Sequence, residues 1–205
     1  MPAKYDAVLL DLLTALLDSL SLWNDVAVDP ETGMAWRKAY LEVTYGCGAY
    51  RPYEDLVAEA AEMAGIAPVR AAALVDRWDE LTPWPDAVPV LQALHGRVKL
   101  GAVTNCSVVL GRAAAARVCP GFDVVATAEE AGFYKPRREA YAYALNQLGT
   151  VPARTLFVAG SAADVPGAVT LGMPVYWHNR IGMPAVDAAI PDHHERTLAP
   201  LLDLI

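Results

Sequence analysis

The chain has 205 residues, 55% of them hydrophobic, with three cysteines and a net charge of −8. That length buries a sizeable core and suits one domain carrying an insertion. The charge leaves a nucleic-acid partner without electrostatic support, no apolar run approaches membrane-spanning length, and unpaired thiols outside any CxxC or Cys/His spacing point to a reducing, cytoplasmic setting.

The amino terminus, Met1 to Asp6, lacks the basic and apolar segments of a secretory signal. The first predicted strand is Ala7–Leu10, an apolar run that ends in Asp11. A carboxylate at the C-terminal end of the first strand of an α/β protein sits where such sheets place ligands, and there it is a candidate nucleophile. The competing reading is a helix cap, a role that Asp18 or Ser19 is equally able to fill.

Helical periodicity follows over Leu20–Val26, Thr32–Tyr45, Tyr53–Ala64 and Val69–Asp79, broken by Gly46, Gly48, Pro52, Gly65 and Pro68. No strand signal intervenes before Pro83-Trp84-Pro85. After this point strand and helix alternate. A helix over Asp86–Leu94 leads to a strand at Leu100–Val103, and a helix over Ser107–Val118 leads to one at Val124–Ala126. Arg138–Leu148 precedes a strand at Leu156–Ala159, Val165–Leu171 precedes one at Val175–Trp177, and a short helix closes the chain over Thr197–Leu204. The pattern predicts an α/β fold: a doubly wound, Rossmann-like parallel-sheet core, with an all-helical cap inserted after the first strand. The expected division is residues 1–18 and 84–205 for the core and 19–83 for the cap.

Parallel strands converge at one rim, and each of these ends in polar residues. Thr104-Asn105 follows the second strand, Lys135 lies in Gly132-Phe133-Tyr134-Lys135-Pro136, and Ser161 and Asp164 follow the fourth. Singly, Thr104 and Asn105 read as turn formers, Lys135 as a surface lysine and Asp164 as a helix cap. Their joint order carries the argument. Cys47 and Cys106 read as small packing residues, His193-His194 as surface residues near the terminus, and His178 as a strand end. Trp23, Trp36, Trp78 and Trp84 read as cap or hinge packing.

With Asp11, Thr104, Lys135 and Asp164 in that order, the chain resembles the haloacid dehalogenase superfamily over essentially its whole length. Tyr134-Lys135-Pro136, the run Gly172 to Arg180 and the cap segment Leu41 to Tyr45 look most like its 2-haloacid dehalogenase branch. The resemblance implies Asp11, Lys135 and Asp164 as catalytic residues and Thr104, Asn105, Ser161 and Arg51 as substrate-binding ones. Arg37 is a second candidate for the cap arginine, which the branch places near Cys47.

The family's phosphatases read D-x-D-G-T at the first motif and use a later Asp for magnesium. Here Leu13 stands at the acid/base position and Gly160 at the metal-ligand position. The branch's own D-x-Y-G-T is also altered, to Asp11-Leu12-Leu13-Thr14-Ala15. The implied function is a metal-independent hydrolase, without cofactor, acting through an aspartyl ester on Asp11. Its expected partner is a small anionic substrate such as a 2-haloacid, with neither nucleic acid nor membrane, and a homodimer is left open. The alternatives are a magnesium-dependent small-molecule phosphatase and a catalytically weak member that binds an anion or partner.

Overall fold

In the computed structural model, residues 4–186 and 189–205 are described; the first three residues of the chain, on which the signal-peptide expectation partly rests, lie outside them. Six parallel strands form one sheet: β1 (Ala7–Asp11), β2 (Lys99–Thr104), β3 (Val124–Thr127), β4 (Thr155–Ala159), β5 (Val175–His178) and β6 (His193–Glu195). Their spatial order is β3-β2-β1-β4-β5-β6. β1 therefore lies at the centre, where the strand order reverses. Asp11 pairs in register with Val103 of β2, while Leu10 pairs with both Ala102 and Val158 of β4.

All five residues of β1 are buried. A strand covered on both faces needs no polar alternation, which is why these strands read as continuous apolar runs. Its side chains divide by the pleat: Val8 and Leu10 enter the core on one face, Ala7 and Leu9 that on the other. The first face is covered by α5 (Ala87–Leu94), α6 (Val108–Val118) and α10 (Leu201–Leu204), the second by α8 (Arg138–Leu148) and α9 (Asp164–Leu171).

Between β1 and β2 the chain forms α1 (Ser19–Ala27), α2 (Pro30–Gly46), α3 (Tyr53–Met63) and α4 (Pro68–Asp76), the helical insertion that the periodicity predicts. Asp18 caps α1 by accepting from Ser21 N at 3.1 Å, and Asp29 caps α2, with Pro30 at its first position. The cap role considered for Asp11 thus falls to Asp18. Rings run as a chain through the inserted helices. Trp23 contacts Trp36 at 4.7 Å between centroids and Tyr40 at 5.4 Å; Tyr40 contacts Tyr53 at 5.5 Å, and Tyr53 contacts Trp78 at 5.6 Å. Trp36 Nε1 donates to Val57 O at 3.0 Å, joining α2 to α3, and Trp78 Nε1 donates to Leu110 O at 2.9 Å, tying the insertion to α6. Helices α1 and α2 cross at Gly33, where a Cβ would lie 2.7 Å from Asn24 Cα.

Four local expectations are corrected. The fourth cap helix ends at Asp76, and Trp78–Glu80 tighten into a 3-10 turn. A short helix, α7 (Ala128–Ala131), follows β3 at once; a capping box between Thr127 and Glu130 starts it. The closing helix is confined to Leu201–Leu204. His193 and His194 keep to the surface as read, but they form an edge strand, β6, where none is predicted, with His194 stacked on Trp177 at 4.4 Å. The continuous apolar run that marks the buried strands is absent from this polar edge. No helix among the described residues is long and apolar enough to cross a membrane.

Trp36 is fully buried. Truncating Trp36→Ala removes its ring contacts and leaves Val57 O without its donor. A loss of about 3–5 kcal/mol is expected from a cavity of this kind, measurable as a lowered urea midpoint.

Candidate active site

Asp11, Lys135 and Asp164 form one buried ionic cluster, at 5%, 3% and 4% exposure. Lys135 Nζ donates to Asp11 Oδ1 at 2.6 Å and to Asp164 Oδ2 at 2.9 Å. Asp164 Oδ1 accepts from Tyr141 OH at 2.8 Å. Asp164 is the first residue of α9, yet its side chain is turned to Lys135 and Tyr141 and caps nothing.

The other oxygen of Asp11 is held by the turn that follows β1. Oδ2 accepts from Thr14 N at 3.0 Å, Thr14 Oγ1 at 2.5 Å and Ala15 N at 3.0 Å. That turn is fixed from outside, since Trp84 Nε1 donates to Thr14 O at 3.0 Å and His178 Nδ1 meets Ala15 O at 2.8 Å. Arg180 Nε donates to His178 Nε2 at 3.2 Å, so Nδ1 carries the proton and donates. Burial, together with the Arg180 charge, keeps the His178 imidazole below its ordinary pKa. Gly160 packs beneath the turn: a Cβ there would fall 2.2 Å from Ala15 N and 2.4 Å from Thr14 C.

Asn105 places Lys135. Its Oδ1 accepts from Lys135 N at 2.7 Å and its Nδ2 donates to Lys135 O at 3.0 Å. Tyr40 OH of α2 donates in turn to Asn105 O at 3.2 Å, so the insertion helps hold the lysine loop.

Burial pushes the Asp11 carboxyl up, but the Lys135 ammonium and the Thr14 donors outweigh it and hold the group below the ordinary carboxylate value. For Asp164 burial prevails. Helped by the neighbouring Asp11 charge, it raises the carboxyl despite Lys135. Lys135 is held above the ordinary lysine value, because two carboxylates overcome its own desolvation. The two acids are thereby driven in opposite directions, as in sites that assign different roles to paired carboxylates.

Above the cluster is a cavity of about 40 Å³, closed by the inserted helices. Asp11, Lys135, Asp164, Asn105 and Ser161 line it from the core, with Leu13 as an apolar wall. From the insertion come Trp23, Arg37, Tyr40, Leu41, Tyr45 and Tyr53. Two of these have polar groups with nothing to bind. The Tyr53 hydroxyl is buried without a hydrogen-bond partner, and Arg37 makes no hydrogen bond or ion pair among the described residues.

Of the residues expected from sequence, Asp11, Lys135, Asp164, Asn105 and Ser161 meet at this cavity. Arg51 does not. Its guanidinium pairs with Glu59 at 2.7 Å on the outer surface, and its backbone carbonyl accepts from Tyr134 OH at 2.8 Å. Arg37, one helix earlier, points where Arg51 was expected. Thr104 is buried outside the cavity lining, its hydroxyl 3.3 Å from Cys106 Sγ. Asn105 spends most of its amide on Lys135. Tyr53, Tyr45 and Trp23 were missed as site residues, since aromatic residues at helical spacing read equally as packing; only the unpartnered Tyr53 hydroxyl separates the two.

Residues 8–172 match the haloacid dehalogenase-like hydrolases. The (S)-2-haloacid dehalogenase 1 of Pseudomonas sp. (strain CBS-3) is 28% identical over 181 residues, covering 80% of this chain and 78% of its own. Pyrimidine 5'-nucleotidase YjjG of Escherichia coli (strain K12) is 32% identical over 102 residues, 48% of this chain and 45% of its own. The L-2-haloacid dehalogenase of Xanthobacter autotrophicus, solved with chloropropionic acid covalently bound, superposes with a TM-score of 0.87 at 23% identity, covering 98% of each chain, and so shares the fold. With its central strand, helical insertion and ordered Asp-Lys-Asp cluster inside a match of that extent, the chain belongs to the haloacid dehalogenase-like hydrolases and sits beside their 2-haloacid dehalogenase branch.

Proposed function

We propose that this hydrolase displaces a group that leaves without a proton, from the carbon beside a carboxylate, as in a 2-haloacid. One observation carries the reading: an ionised Asp11, paired with Lys135, faces a cavity in which Leu13 stands where a phosphatase keeps its acid. An alkoxide must be protonated as it departs, whereas a halide leaves as the anion it becomes.

Oδ1 of Asp11 carries a single donor and keeps a lone pair for attack, while Oδ2 is saturated by three. In the first step Oδ1 bonds to the substrate α-carbon, and halide leaves from the opposite side with the bonding pair. In the second, water adds to Asp11 Cγ and gives its proton to Asp164. The charge that develops on Oδ2 meets Thr14 N, Ala15 N and the Thr14 hydroxyl, a preformed oxyanion hole. The Cγ–Oδ1 bond then breaks, the 2-hydroxy acid departs with Oδ1 and the proton held by Asp164, and the Asp11 carboxyl, which keeps the water's oxygen and second proton, releases that proton to solvent and is again a carboxylate. Lys135 steadies Oδ1 throughout. Arg37 and the Tyr53 hydroxyl are the unspent groups suited to the substrate's carboxylate and the departing halide.

A magnesium-dependent phosphatase fits these residues poorly. The oxygen of Asp11 that Lys135 leaves is wrapped by N–H and O–H donors, which present positive ends where a cation would have to approach. Gly160 supplies no carboxylate, and the Thr14–Ala15 backbone fills the space one would need. Octahedral magnesium takes one or two carboxylates, and the two that line the cavity, Asp11 and Asp164, are both bonded to the Lys135 ammonium.

Three outcomes are expected. Wild-type protein releases halide from (S)-2-chloropropionate without loss in EDTA, and Asp11→Asn abolishes it. In a single turnover in H₂¹⁸O, mass spectrometry finds the label on Asp11 and not in the product; label in the product, or no halide from any 2-haloacid, removes the reading. On the pH axis, Asp164 must be ionised to take the water proton, so activity falls as pH drops through a value above 3.8, the property of the coupled cluster as a whole. Lys135, raised above 10.5, contributes no alkaline limb below that pH. Finally, Gly160→Asp destabilises the fold by about 1–3 kcal/mol through overpacking and confers no magnesium-dependent hydrolysis of an aryl phosphate; a gain of that activity would restore the phosphatase reading.

A further inference from the structure

The cavity beside Asp11 is small. At about 40 Å³ it has room for roughly three water-sized groups, enough for the reacting carbon and its carboxylate or halide but not for a chain. A second space adjoins it. Arg37, Leu41, Tyr45 and Ser161 also line a second, more open cavity of about 520 Å³, which runs between α2 and the loops that follow β4 and β5. That volume lies within the range of about 300–1,000 Å³ typical of small-molecule sites.

The lining of the second cavity is chiefly apolar. Met34 and Leu41 form its α2 wall, and Ala162, Ala163, Met183 and Pro184 form its floor. Met34 is 45% exposed on a helix whose buried face is already filled by Trp36, Ala39 and Tyr40. Packing of the insertion therefore does not account for it. Methionine side chains are flexible and suit surfaces that accept varied apolar partners. The charges are confined to Arg37 at the junction and Lys38. The Tyr45 phenol, which interacts with the Ser161 side chain, stands between the two cavities and belongs to both.

Resting on the dehalogenation reading, we infer that the substrate is a 2-substituted monocarboxylic acid with an extended apolar tail: the reacting carbon enters the small cavity, the carboxylate is held at Arg37, and the tail lies in the groove of Met34, Ala163 and Met183. The two cavities share four lining residues and so adjoin at Arg37 and Tyr45, which places an acid held at Arg37 with its tail toward the groove. A short haloacid would fill only the inner cavity and leave the apolar groove unused.

The test compares kcat/KM for 2-chloropropionate, 2-chlorobutanoate, 2-chlorohexanoate and 2-chlorooctanoate, with binding of unhalogenated octanoate measured by calorimetry. Each methylene buried in the groove is expected to raise kcat/KM by about two- to fourfold. Met34→Glu, an exposed change whose folding is checked by circular dichroism, is expected to lower the octanoate-to-propionate ratio at least tenfold and to weaken octanoate binding. Turnover of 2-chloropropionate with a flat or falling chain-length series overturns the tail proposal and leaves dehalogenation standing. If no acid releases halide, dehalogenation falls, and octanoate decides the groove. Binding that Met34→Glu removes supports an apolar-tailed acid as its ligand; absence of binding overturns it.

Discussion

The Lys135 ammonium, shared between Asp11 and Asp164, is the contact on which the rest of the site depends. Two carboxylates out of water and within reach of one another cannot both stay ionised unaided, because desolvation and mutual repulsion both favour protonation. One ammonium between them leaves a single negative charge in excess, and the protein assigns it unequally. Asp11 also receives the backbone donors of the turn and stays a carboxylate, while Asp164 is left as the weaker acid. The two acids are thus distinguished by their surroundings, not by residue type.

Much of the fold exists to keep that geometry. Asp11 ends the central strand of the sheet, and the turn after it is gripped by Trp84, His178 and the bare backbone of Gly160. Lys135 is placed through its backbone by Asn105, and Asn105 is tied to the insertion by Tyr40. The ring chain from Trp36 to Trp78 stiffens the helices that close the cavity. The insertion therefore both roofs the site and helps fix the lysine that organises it.

The departures in the first motif acquire physical meaning once the turn is seen. Leu13 is a wall of the cavity, and Gly160 permits the approach of Thr14 and Ala15, which give three donors to one oxygen of Asp11. The turn therefore presents N–H and O–H groups, not oxygen ligands, to Oδ2 of Asp11. The altered residues are consistent with one another in space: the bare Gly160 backbone and the Thr14–Ala15 turn pack together.

The sequence alone determined the sheet strands β1 to β5, the position of the helical insertion and the convergence of Asp11, Lys135 and Asp164. These rest on local signals: apolar runs long enough for a strand, helical periodicity, and polar residues just past strand ends, which a parallel sheet must bring to one rim. Only the tertiary structure decided which arginine faces the cavity. By position Arg51 is the first candidate and Arg37 the second, and the structure reverses that order, because Glu59 captures Arg51 on the surface while Arg37 lines the cavity. It alone showed that Thr104 turns toward Cys106, that Asn105 serves the lysine backbone, and that Tyr53 brings an unpaired hydroxyl to the site. Those outcomes depend on where side chains from distant segments end their reach, which no local pattern encodes.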